Sequence, residues 1–153
     1  MSDRWTEVTI RGVVIDPMTG DPTVLLEDDG ETSIIAVAAD PSATGAIISE
    51  LEGIEHEQSQ TLLYRFFVRH GVSVSRVELS GARNGELGAR LDYHFKGARY
   101  AMEVRPIDGL LVAVQTGAPI FAHVDLIQTW VTSAAPRVLD GSDLLILSRR
   151  PSR

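Results

Sequence analysis

The apolar residues change period along the chain, from two to a helical spacing and back, and turn or cap residues mark each change. A chain written this way folds as separate strand and helix blocks, not as a regular βαβ alternation. Trp5 to Ile15 reads as a strand, with Val8, Ile10, Gly12 and Val14 on one face and Thr9, Arg11 and Val13 on the other. The turn formers from Asp16 to Pro22 follow, and Thr23 to Leu26 resumes the strand pattern. Asp29-Gly30 suits a type I′ turn, so Glu31 to Ala38 is predicted to return antiparallel. A second meander is predicted from Val72 to Val104. It has a one-residue phase slip at Ser75-Arg76, an Asn84-Gly85 turn, the alternating run Leu87 to Phe95, and a turn at Lys96-Gly97.

Helices fill the gaps. Asp40-Pro41 supplies an N-cap oxygen and a first-turn proline, which predicts a helix over about 41–52. Ser59 offers a second cap, and Leu62, Leu63, Phe66 and Phe67 form a stripe predicted to pack on the sheet before Gly71 stops the helix. Pro106 starts a third, almost wholly apolar helix that ends at Gly117 and Pro119 and is expected at the centre. Ile120 to His123 reads as a short strand, and Asp125 as the cap of a fourth helix. Leu144 to Leu147 is the one apolar run in the tail, and a docking or swapped strand, or partial disorder, is expected there. The expected fold is α+β, two antiparallel meanders in a mixed sheet with about four helices packed on them, as a domain over 1–135 and an extension over 136–153.

Composition removes several classes of function. The opening MSDRWTEV lacks the apolar run of a signal peptide, no apolar stretch is long enough to span a bilayer, and there is no cysteine for disulfides or thiolate zinc. A cytoplasmic protein without membrane partners is the expectation. The net charge of −7 opposes nucleic acid at long range, yet it is uneven. Residues 1–60 carry thirteen acids against Arg4 and Arg11, a net of −11; residues 61–153 carry twelve bases against eight acids, a net of +4. A basic face on an acidic protein is therefore available. No P-loop, dinucleotide fingerprint, zinc signature or Gly-x-Ser-x-Gly elbow is present.

Arg105 and Asp108 carry the most chemistry. A carboxylate in the first turn of a helix stays ionised at the positive end of the dipole and suits a hard cation, while an arginine at the strand end suits a phosphate. The plain alternative is that Asp108 stabilises its own helix and pairs with Arg105. Ser59 reads first as a cap. Asp92 and His94 share a strand face with Arg90 and Lys96, which predicts a solvated surface and not a metal site. His56 and His123 have no partner recognisable by spacing.

Val14-Ile15-Asp16-Pro17 to Val24-Leu25-Leu26, the Pro41 helix and Leu62-Leu63 to Gly71-Val72 resemble the bifunctional nuclease domain family over roughly residues 8–130. The most specific stretch is Arg105-Pro106-Ile107-Asp108 to Thr116-Gly117-Ala118-Pro119-Ile120-Phe121. The resemblance implies an α+β fold, a homodimer, and metal-dependent phosphodiester hydrolysis on DNA or RNA with Mg²⁺ or Mn²⁺. It makes Asp108 and Arg105 the catalytic candidates, Asp108 the metal ligand, and Ser59, Gln60 and Glu103 the substrate contacts. The chain departs from the family pattern at Ala43, where a Glu is usual, at Ser59-Gln60-Thr61, where a Thr-His-Asp triplet is usual, and at Ile107 in place of Ser. A non-catalytic dimeric interaction or regulatory module on the same fold is the alternative.

Overall fold

The computed structural model describes residues 4–28, 34–53, 62–81, 86–126 and 145–149. β1 (Trp5–Ile15) organises the sheet because both of its edges are used. One edge pairs antiparallel with β2 (Pro22–Asp28), and β2 pairs with β3 (Ile34–Ala38). On the other edge, the sheet continues through a four-residue strand, Ile120–His123, to the second meander, β4 (Ser73–Gly81), β5 (Leu87–Phe95) and β6 (Ala98–Val104). That short strand is β7, antiparallel to β1 and parallel to β4. The two predicted meanders are thus one mixed sheet in the order β3-β2-β1-β7-β4-β5-β6. The tail docks within the same chain as β8 (Leu145–Arg149), antiparallel to Gly12–Ile15 of β1.

The face assignment within β1 needs one correction. Ile10 lies opposite Leu26 but Gly12 lies opposite Leu25, so Arg11 is the extra residue of a bulge. The phase changes there, and Val13, not Val14, joins Val8 and Ile10 in the core cluster. Arg11 instead reaches Glu27 at 2.7 Å. The slip predicted in β4 is present: Val74 opposes Tyr93 and Arg76 opposes Asp92, leaving Ser75 as the extra residue. The turns predicted at Asp29-Gly30 and Asn84-Gly85 lie outside the described residues, whereas Lys96 and Gly97 both have positive φ, as a type I′ hairpin requires.

α1 (Pro41–Leu51) begins as predicted, with Asp40 Oδ1 accepting from the Ala43 N–H at 2.8 Å. α3 (Pro106–Thr116) lies on the same core, burying Ile107, Leu110, Val112 and Ala113. Its closest approach to the sheet is at Gly109, where a Cβ would sit 3.0 Å from Val77 Cγ1 and 3.4 Å from Val104 Cγ2. α2 (Leu62–His70) behaves differently. None of its residues is buried, and Leu62 and Phe66 are 80% and 55% exposed, so the expectation that its stripe packs firmly on the sheet is corrected; Phe67 alone reaches the core.

The fourth helical segment begins at residue 124, two residues earlier than expected. His123 Nδ1 accepts from the Asp125 N–H at 3.2 Å, so His123, and not Asp125, takes the capping role. The sheet face opposite the helices is a lattice of charges. Arg76 lies 4.0 Å over the Phe121 ring and 2.8 Å from Glu78, and Asp92 is approached by Arg90 at 3.2 Å and Arg99 at 3.6 Å. Asp92 is buried, which corrects its assignment to a solvated face: two long arginine side chains from neighbouring positions cover it. Among the described residues no helix is long and apolar enough to cross a membrane.

Candidate active site

The strand-to-helix junction at residues 104–108 is built by local rules. Val104 ends β6 on the core side, Pro106 fixes φ for the first helical position, and Arg105 between them has extended backbone and caps α3 without a side-chain bond to it. The side chain of Arg105 is therefore available, and it turns to Asp108 one helical turn on. Arg105 Nε donates to Asp108 Oδ2 at 2.8 Å, and Arg105 Nη2 donates to Oδ1 at 3.0 Å. This two-bonded fork is the geometry in which guanidinium and carboxylate, or guanidinium and phosphate, match best. The pair is accessible, with side chains 70% and 42% exposed.

The hydrogen bond to Asp108, then its charge, raises the Arg105 pKa above the ordinary value, and Asp40 adds a smaller electrostatic contribution in the same direction. Asp40, at the start of α1, thus acts on Arg105 through its charge. Its sequence context signalled a cap, which it is.

The other predicted residues are placed as follows. Glu103 alternates with Val104 and so faces away from α3, in register with Arg90 of β5. Ser59 and Gln60 lie outside the described residues. A concavity of about 480 Å³ lies at the other end of α3, lined by Gly117, Ala118, Pro119, Glu7 and Leu51, and does not include Arg105 or Asp108.

For a divalent cation the available donors are few. Among the described residues there is no cluster of three or more ligating side chains. Magnesium-type sites commonly use one or two carboxylates and take their remaining oxygens from water and substrate phosphate. Asp108, with Asp40 near Arg105, fits that sparse type and no denser one.

No curated protein matches the chain. The family model described as the bifunctional nuclease domain matches residues 24–134, well over half of the sequence, from within β2 through α3 and past β7. With the proline-initiated α3 and its Arg105–Asp108 fork inside that span, the chain belongs to the bifunctional nuclease domain family.

Proposed function

We propose that the protein is a nuclease-like hydrolase of DNA or RNA in which Arg105 receives the substrate phosphate and Asp108 serves a divalent cation, Mg²⁺ or Mn²⁺. The observation that carries this reading is the exposed two-bonded fork between Arg105 and Asp108 at the start of a helix. A phosphodiester offers Arg105 the same two-oxygen geometry that Asp108 offers. When Arg105 turns to the phosphate, the Asp108 carboxylate is released at the positive end of the α3 dipole, open to a hard cation. The helix start adds N–H groups that favour the anion. A bound cation supplies Lewis acidity and an activated water. Asp40 adds a second negative charge whose field reaches the same guanidinium. Ser59, Gln60 and Glu103 are proposed as further polar contacts to the substrate.

The test is cleavage of single-stranded DNA and of RNA by the purified chain, with Mg²⁺ or Mn²⁺ and with chelator. Expected are metal-dependent cleavage and a loss of about 10²-fold or more in Asp108→Asn, the size typical of removing one electrostatic group from a reacting centre. Arg105→Lys is expected to weaken cleavage as well, since an ammonium has no fork. Activity that persists in Asp108→Asn overturns the site.

A non-catalytic module is the second reading, and a specific observation favours it: both carboxylate oxygens of Asp108 are already bonded to Arg105. Absence of cleavage on both substrates with either metal supports that reading.

A further inference from the structure

β1 takes two partners in turn along one edge. β7 pairs with it from Trp5 to Val8 and β8 from Gly12 to Ile15, while β2 holds the opposite edge from Val8 to Ile15. Thr9, Ile10 and Arg11 lie between the two stretches, with no strand on that edge among the described residues. The sheet therefore has a notch, and the concavity of about 480 Å³ opens there, against Glu7, Val8, Thr9 and Ile10. A gap in the sheet lets one cavity touch both faces: Val8 and Ile10 belong to the core side, and Glu7 and Thr9 alternate with them. Every residue that lines it is among those described.

We propose that this cavity binds a small alkylammonium ion, a free primary amine carrying a short aliphatic chain. The charge of its walls has one sign. Glu7 and Glu50 line it, and no basic residue does. α1 ends at it through Glu50 and Leu51, and α3 through Ala113, Val114 and the Gly117 cap, so two helix C-termini converge on the same space. A helix C-terminus carries about half a negative charge, and neither helix has in its last turn the basic residue that would offset it. Glu7 takes no hydrogen bond or ion pair among the described residues.

Such a space repels an anion. Leu51, Val114, Pro119 and Ile120 supply apolar wall, which suits methylene groups and which a hydrated metal ion would leave unused. An ammonium brings three N–H donors to the carboxylates and helix-end carbonyls, and its chain covers the apolar wall. The volume is within the range of small-ligand sites. The cavity lies at the opposite end of α3 from Arg105 and Asp108, so this inference does not rest on the hydrolytic reading.

Calorimetric titration of the full chain with hexylamine, hexanol and hexanoate tests it, and the amide NMR spectrum places the site. Hexylamine is expected to bind and to shift the amides of Leu51, Val114 and Gly117. Hexanol and hexanoate are expected to bind more weakly by about tenfold or more. Glu7→Gln is expected to weaken hexylamine by about tenfold. Val114→Arg sets a fixed cation at a helix end that favours one, and is expected to abolish binding. Asp21→Asn removes the same charge from a turn outside the cavity and is expected to leave the affinity unchanged. Failure of the wild type to bind hexylamine overturns the proposal, as does equal affinity for hexanol or unchanged binding in Val114→Arg. A loss in Asp21→Asn as large as in Glu7→Gln means diffuse attraction to an acidic protein and overturns it too.

Discussion

α2 and α3 end in the same way and are treated by the fold in opposite ways. Each closes with a left-handed glycine, Gly71 or Gly117, and each has the N–H of the next residue bonded back five positions, Val72 to Phe67 at 2.9 Å and Ala118 to Ala113 at 3.1 Å. Each is short and rich in apolar residues. Yet α3 buries residues along its whole length and α2 buries none. The difference lies in bulk at the contact. α3 brings Gly109 to the sheet, so its axis settles close to Val77 and Val104, while α2 carries Leu62, Leu63, Tyr64, Phe66 and Phe67 within six positions and inserts only the last. Apolar content sets how much a helix gains from burial, and small residues at the contact set whether it gets close enough.

Mutations separate the two cases. The largest effect is expected from Leu110→Ala in α3, about 2–5 kcal/mol of lost stability from a fully buried site, measured by chemical denaturation. Gly109→Val follows, at about 1–3 kcal/mol from overpacking against Val77; because the displaced turn carries Asp108, cleavage is expected to fall with it. A Gly109→Val protein as stable as wild type would show that close approach is not what distinguishes α3. Gly117→Ala is expected to cost about 1 kcal/mol, since alanine must take up a φ of 74°. Leu62→Ser in α2 is expected to change stability by no more than about 0.5 kcal/mol, as an exposed position should. A larger loss there would mean that the helix is covered in solution.

The sequence made the elements legible where punctuation was strong. Pro41 and Pro106 at helix starts, Gly117 at a helix end, and Lys96-Gly97 between two alternating strands all fall where expected, because each acts through its own backbone angles. What was not legible depends on partners distant in sequence. The bulge at Arg11 shows itself only against β2, the burial of Asp92 requires Arg99 from the next strand, and the exposure of α2 shows only once the helix is set against the rest of the fold. The candidate site divides along the same line. The Arg105–Asp108 contact is three residues long and could be anticipated, whereas Asp40 joins it from sixty-five positions away.

The four residues of β7 also bear on the order in which the molecule can assemble. Each meander closes through neighbours in sequence, but the strand that lies between β1 and β4 is the last of the seven to leave the ribosome. The two half-sheets have no direct pairing with each other, so they can be joined only once Ile120–His123 is available, and that one brief strand fastens both at once.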